Sequence, residues 1–328
     1  MGGKALKQIG IVTQRKTTGD LLRIYQEISQ RLHKIGLTTH LVDFYRSKET
    51  HGDLDILIKM QGQPVNLKNW VRDNITTNLV YSKPVVSFEY ENFQVDLIPI
   101  AQSNWETAKF FFDKDPTGNL MGKIAHKFGL KYGWAGLVYP FRNFSGRLTR
   151  DIVISKDPRK ICEFLGFDYD RYINGFDTLE EIFEFVVGSK YFNTDYFRME
   201  NLGHIDRKRN KKRQTYQQFL EYVNTIKNPG YVFDKKDSYI EYIDKEFPEA
   251  KLKQKLKILH KKDERAKEIA SKFNGRLVMQ RIPELRGKEL GEALNSFKSL
   301  FMNFEEHVLD NSSDEVLNQF VKWQKSRT

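Results

Sequence analysis

Apolar residues return at helical spacing after Thr18-Gly19-Asp20: Leu21, Leu22, Ile24, Tyr25, Ile28 and Leu32 fall on successive turns, and Gly36 follows. A cap-like start ahead of that spacing predicts a helix. The period then drops to two. Residues 37–45 and 53–60 read as strands joined by a polar turn, and 85–90 with 93–100 read as a hairpin around Glu91-Asn92. Together these form one compact module that ends near Phe141-Arg142-Asn143. Beyond about residue 150 helical periods return, over 158–165, 179–187, 214–226 and a Lys-rich stretch at 251–273. The predicted fold class is α+β, a mixed sheet with helices over 1–145 followed by a mainly helical, basic domain over 146–328. The sequence holds no internal repeat, low-complexity tract or Pro/Ser-rich linker.

The strand pattern at 53–60 carries the first chemistry. Successive side chains of a strand alternate faces, so Asp53 and Asp55 project together while Leu54, Ile56 and Ile58 bury on the opposite side. Paired carboxylates repel each other unless a positive charge sits between them. A divalent ion supplies that charge, and Mg²⁺ takes its oxygens from one or two carboxylates plus substrate phosphates. Asp96, in Phe93-Gln94-Val95-Asp96-Leu97, offers a third carboxylate on a neighbouring strand. Three such groups suit two ions about 3.5–4 Å apart and in-line phosphoryl chemistry.

Charge adds an anionic partner. The 328 residues are 39% hydrophobic and 30% charged, with a formal net charge of +11, which favours nucleic acid through counterion release. Residues 207–213 place six cations in seven positions: Arg207, Lys208, Arg209, Lys211, Lys212 and Arg213. Residues 251–286 hold 12 Lys or Arg against 4 Asp or Glu, while 305–315 is acidic and is expected to form a different surface. The single cysteine, Cys162, excludes an internal disulfide and a multi-cysteine zinc site, and its apolar setting predicts a packing role. No apolar run reaches the roughly 18 residues that span a bilayer. The start lacks a secretory signal, and Met1-Gly2-Gly3-Lys4-Ala5-Leu6 has Leu where a myristoylation site needs Ser or Thr. A cytoplasmic protein without membrane partners is expected, and the Lys-, Phe-, Tyr- and Asn-rich composition suits a phage or an AT-rich bacterium.

The run Phe44-Tyr45-Arg46-Ser47-Lys48-Glu49-Thr50-His51-Gly52-Asp53-Leu54-Asp55, with Asp96 later on an apolar strand, resembles the palm signature of the polymerase β-like nucleotidyltransferase superfamily. The likeness is to family X DNA polymerases in particular, where a Gly-Ser pair and an Arg-Arg-Gly turn precede Gly-Asp-x-Asp on a strand. It implies a nucleotidyltransferase palm over 1–145 that uses two Mg²⁺ ions, or Mn²⁺. Asp53 and Asp55 would bind both ions and the triphosphate, and Asp96 would help activate the acceptor hydroxyl. Arg46 falls on the arginine that faces the triphosphate, Ser47 on the turn glycine, and Gly52 on the glycine whose backbone approaches phosphate. Val42-Asp43 occupies the place of the Gly-Ser pair, and an Asp beside phosphate oxygens must be turned away or paired. Asp115-Pro116-Thr117-Gly118-Asn119 resembles the turn that shapes the sugar pocket, with Thr117 and Gly118 at the matching positions, ahead of a helix ending in Gly and a strand near 134–139.

A palm-like segment standing before a helical part resembles tRNA nucleotidyltransferases and poly(A) polymerases, as does Leu285-Arg286-Gly287-Lys288-Glu289-Leu290-Gly291-Glu292-Ala293-Leu294 more faintly. The expected function is metal-dependent transfer of a nucleotide from a nucleoside triphosphate to an acceptor hydroxyl. An RNA or tRNA 3′ end is the first choice of acceptor, a DNA 3′ end the second and a protein or small molecule the third. A nucleic-acid-binding protein that keeps the palm without the chemistry is the alternative. Lys48 and Lys59 are candidates for charge neutralisation, and His51 is expected to be an exposed turn residue.

Overall fold

The computed structural model describes residues 4–62, 65–226 and 230–327; Met1-Gly2-Gly3 of the myristoylation comparison lie outside them. The chain is α+β. Its order is β1 (Lys16–Thr17), α1 (Thr18–His33), β2 (Thr38–Leu41), β3 (Thr50–His51), β4 (Asp53–Met60), α2 (Leu67–Asn74), β5 (Leu79–Ser82), β6 (Val85–Tyr90), β7 (Phe93–Ala101), α3 (Trp105–Phe112) and α4 (Thr117–Lys127). There follow β8 (Lys131–Gly133), β9 (Gly136–Arg142), β10 (Leu148–Ser155), α5 (Pro158–Phe164), α6 (Tyr169–Asn174), α7 (Leu179–Val187), α8 (His204–Asn210) and α9 (Gln214–Asn224). The last elements are α10 (Ile240–Glu246), α11 (Leu252–Lys272), α12 (Gly275–Arg281), α13 (Gly287–Lys298), α14 (Phe304–Asp310) and α15 (Ser313–Lys325).

Tertiary packing groups these elements into two units, 1–140 with 151–252 and 141–150 with 253–328. The expected division at 145/146 follows instead the change of sequence period.

The first unit is built on a five-stranded mixed sheet of order β2-β4-β7-β6-β5, in which β4 and β7 run parallel at the centre and the other pairs are antiparallel. One face of the sheet is apolar throughout: Leu54, Ile56 and Ile58 of β4 with Val95 and Leu97 of β7 pack against Leu21, Ile24 and Ile28 of α1 and Val71 of α2. Each such buried aliphatic side chain contributes about 1.5–3 kcal/mol, which makes the strand register costly to shift. The other face is divided. Towards the carboxyl ends of the strands Leu57, Ile98 and Ile100 lie under Trp105 and Ala108 of α3, and towards the amino ends the same face carries the acids.

Several elements are shifted from the sequence expectation for local reasons. The cap of α1 is Thr17, whose side chain accepts from the Asp20 backbone, which frees Thr18 for other bonds. The strand expected over 37–45 ends at Leu41, because the following backbone leaves the sheet: Arg46 N–H donates to Phe176 C=O and Ser47 N–H to Asp177 C=O. Trp134 lies between β8 and β9 rather than in a strand. There Gly136, at φ 110°, allows a turn whose Cβ would lie 2.4 Å from the Ser155 carbonyl oxygen. The helices expected at 158–165, 179–187, 214–226 and 251–273 are α5, α7, α9 and α11.

The second unit has its own core, in which Phe273, Val278, Phe297, Val308, Val316 and Phe320 are buried together. Its acidic stretch is not a separate surface, since Glu305 and Glu306 face Arg265 of α11, and Glu315 closes a capping box with Ser312. Cys162 on α5 is fully buried, and burial pushes its thiol up to about 12, in keeping with a packing role. Among the described residues no helix is long and apolar enough to cross a membrane.

Close packing of α3 on α4 depends on Gly118, where a Cβ would stand 2.2 Å from the Phe111 carbonyl oxygen. Gly118→Ala is therefore expected to cost about 1–3 kcal/mol of stability, read as a lower urea midpoint; a change of less than about 0.5 kcal/mol would contradict this packing.

Candidate metal and phosphate site

Parallel pairing of β4 with β7 sets Asp55 directly opposite Asp96 and Asp53 opposite Gln94. All three acids lie on the divided face, at its amino end, and one carboxylate oxygen from each lies within 4.8 Å of the others. Each residue remains partly exposed, which leaves a route for an ion. Gln94 holds Asp96 in place, its amide donating to both carboxylate oxygens at 3.0 and 3.1 Å, while its own carbonyl accepts from the Ala5 backbone. Ser87, opposite Asp96 on β6, adds a further side-chain bond. Sequence reading missed both supports, although the period-two pattern through 93–100 places Gln94 on the same face as Asp96.

The electrostatics follow from this crowding. Burial, reinforced by the charge of Asp53, pushes the Asp96 carboxyl up to about 7. Burial together with Asp53, Asp96 and Asp115 pushes Asp55 well above the usual carboxylate range. A donor set of carboxylate oxygens with no sulfur or imidazole is the chemistry that hard divalent cations take. The residues thus suit a hard divalent cation, which Asp53, Asp55 and Asp96 could hold together.

Asp115 is an exposed fourth acid beside the triad, close enough to act on Asp55 and on the cations of Lys48 and Arg213. Its place in the turn between α3 and α4 is a tertiary fact that spacing along the chain does not reveal.

The turn leading into β4 is held by an unexpected set of bonds. His51 is buried rather than exposed, 3% accessible, with its ring edge-on to Phe44 at 4.4 Å. Thr18 donates its hydroxyl to the Lys48 carbonyl and sits 3.0 Å from His51 Nε2, so the imidazole N–H donates to the Thr18 oxygen. Burial, with Lys48 and Arg15 nearby, lowers His51 to about 4, and the ring is neutral at physiological pH. Asp43 is paired: its carboxylate lies 3.6 Å from Lys114 Nζ and accepts from the Phe44 backbone at 2.9 Å. The charge that stands in place of a Gly-Ser pair is thereby compensated.

The remaining predicted residues are spread more widely. Arg46 pairs with Asp177 and donates to the Asn174 carbonyl. Ser47 is exposed beside it, and Gly52 links β3 to β4. Thr117 is fully buried with its hydroxyl donating to the Asp113 carbonyl, and Gly118 is occupied by helix packing. Lys59 lies over the Trp105 ring at 5.8 Å, at the apolar end of the face, about 13 Å along the strand from Asp55. In the basic run Arg207, Lys208, Arg209, Lys211 and Lys212 are exposed on α8 and the turn after it, while Arg213 is half-buried and faces Asp115 and Asp206. Asp206 also pairs with the buried Lys123 of α4, which fixes α8 to the acid-bearing unit.

No family model and no curated protein matches the sequence. Among solved structures, Leishmania infantum polymerase beta in a ternary P/T complex is similar over 48% of this chain and 75% of that chain, at 10% identity and a TM-score of 0.34. A likeness at that TM-score carries no weight for function.

The raised carboxyls make stability depend on pH and metal together. A carboxyl whose folded pKa exceeds its unfolded value near 3.9 contributes stability below that value and loses it as pH rises through the folded pKa. Relative to Asp96→Asn, the metal-free protein is expected to lose melting temperature between about pH 4 and 7 and to stay lower above pH 7. Saturating Mg²⁺ at pH 8 should restore about 5–10 °C in the wild type and much less in the variant. Parallel pH curves for the two proteins, or no response to Mg²⁺ or Mn²⁺, would contradict the site.

Proposed function

We propose that the protein is a metal-dependent nucleotidyltransferase that moves a nucleotide from a nucleoside triphosphate to an acceptor hydroxyl, with an RNA 3′ end as the preferred acceptor. The observation that carries this is the Asp53, Asp55 and Asp96 cluster, three carboxylates within 4.8 Å at the amino end of a parallel strand pair. Asp53, Asp55 and Asp96 would hold the divalent metal, which would supply charge to lower the pKa of the attacking hydroxyl and to neutralise the leaving pyrophosphate. In this reading Asp53 and Asp55 face the triphosphate side and Asp96 the acceptor side, where Gln94 and Ser87 fix its orientation.

Acceptor binding is assigned to the helical, basic part of the chain beyond residue 146. Its support is the exposed run Arg207, Lys208, Arg209, Lys211 and Lys212, which belongs to the same unit as the triad and ends at Arg213 beside Asp115. Cations in series suit a phosphate backbone, whose affinity comes largely from released counterions. RNA is placed ahead of DNA because the order of a palm-like segment and a helical part resembles RNA-acting enzymes.

Two paired measurements test the proposal. Purified protein with Mg²⁺, each labelled triphosphate, and RNA or DNA oligonucleotides is expected to extend an acceptor 3′ end. Asp53→Ala with Asp55→Ala should reduce the rate on the order of 10³-fold, equivalent to several kcal/mol of transition-state stabilisation. Replacing Arg207, Lys208, Arg209, Lys211 and Lys212 with Gln should leave the triad intact but lower the salt slope of single-strand binding by roughly 0.7 for each phosphate that is no longer neutralised. Equal behaviour of wild type and the double Asp variant defeats the enzyme proposal, and extension of DNA alone defeats the choice of RNA.

A further inference from the structure

We propose that Lys48, rather than Arg46, is the cation that takes the β- and γ-phosphates of the nucleoside triphosphate; this rests on the nucleotidyl-transfer reading above. The two residues stand in one turn, Tyr45-Arg46-Ser47-Lys48, yet their surroundings differ in kind.

Arg46 is already engaged. Its guanidinium pairs with Asp177 Oδ1 and donates to the carbonyl of Asn174, the last residue of α6, so it ties the turn to the segment between α6 and α7. The same segment takes the backbone of the turn, with Arg46 N–H on Phe176 C=O at 3.0 Å and Ser47 N–H on Asp177 C=O at 2.9 Å. Gly175 leaves room for the guanidinium, since a Cβ there would lie 3.2 Å from Arg46 Nη2. Arg46 thus acts as a clamp whose charge Asp177 neutralises.

Lys48 has the opposite character. Its side chain is half-buried, with Nζ 5.7 Å from the Phe44 centroid and 5.9 Å from the Tyr45 centroid. Among the described residues it closes no ion pair. Burial lowers its pKa, as does the nearby cation of Arg15, against the pull of Asp115, Asp53 and Asp55. The backbone that carries it is fixed: Lys48 N–H donates to the Tyr45 carbonyl at 3.1 Å, the Lys48 carbonyl accepts from Thr18, and Thr18 is also bonded to the buried His51. An ammonium group with its nitrogen near two aromatic rings, in the field of carboxylates that would hold the metal, suits the outer phosphates of a triphosphate.

The chemistry balances without a proton from Lys48. The acceptor oxygen bonds to the α-phosphorus while the bond from that phosphorus to its bridging oxygen breaks. Pyrophosphate leaves with the electron pair, and the acceptor proton passes to solvent. Lys48 remains an ammonium throughout and acts through charge alone, so arginine at this position should retain function where methionine does not.

The test is calorimetric binding of Mg²⁺-tripolyphosphate by the full chain at pH 7.5, which needs neither acceptor nor turnover. Lys48→Met and Lys48→Gln are expected to weaken binding by about tenfold or more, as for a lost hydrogen bond to a charged group. Lys48→Arg should recover most of the affinity, and Arg46→Met should change it by less than the Lys48 variants do. Circular dichroism of each variant shows whether the fold is intact. Should both uncharged Lys48 variants unfold, a tenfold loss in folded Arg46→Met still overturns the assignment. Wild-type affinity in folded Lys48→Met, or no tripolyphosphate binding by the wild type, also overturns it. Lys48-dependent binding by a protein that transfers no nucleotide would remove the nucleotidyl-transfer reading and leave the phosphate assignment standing.

Discussion

Repulsion among three carboxylates is the constraint around which the first unit is arranged. Parallel register between β4 and β7 places Asp55 against Asp96, and the alternation of the strand brings Asp53 onto the same face. Burial, with the neighbouring carboxylates adding to it, makes Asp55 and Asp96 hold their protons to higher pH, so the arrangement disfavours folding at neutral pH in the absence of a cation. The opposing apolar face sustains it, with Leu54, Ile56, Ile58, Val95 and Leu97 buried against α1 and α2. A slip of one residue would turn those side chains to the acid side and the acids into the core.

Around the triad, charges are compensated one by one, with Lys48 left facing the acids. Asp43 has Lys114, Arg46 has Asp177, and Asp206 has Lys123. His51 is kept neutral and serves as a donor that fixes Thr18 and, through it, the Lys48 carbonyl. The segment 174–177 matters here although it lies far along the chain, because its backbone accepts from the turn that enters β4. The site is therefore not confined to the sheet; helices following β10 complete its rim within the same unit.

Much of this was legible in the sequence wherever a period or a local signal decides the structure. The strand at 53–60, the hairpin about Glu91-Asn92 and the helix at 179–187 follow from alternation or helical spacing, and Asp53, Asp55 and Asp96 follow from the same alternation. What could not be read depends on packing between distant residues. His51 looks like a polar turn residue until α1 supplies Thr18 as its partner, and the strand at 37–45 looks longer until the Asp113 carboxylate takes the Asp43 N–H. The acidic residues near 305 look like a separate surface until Arg265 is set against them. Asp115 gives no periodic signal, since a turn brings it within electrostatic reach of Asp55.

The most direct measurement of the central claim is anomalous scattering from crystals grown with Mn²⁺ and a non-hydrolysable nucleoside triphosphate. The expected result is one or two manganese peaks among Asp53, Asp55 and Asp96, with the phosphates extending from them. Manganese elsewhere on the chain, or an acid cluster that holds none while the nucleotide is bound at another place, would contradict the account.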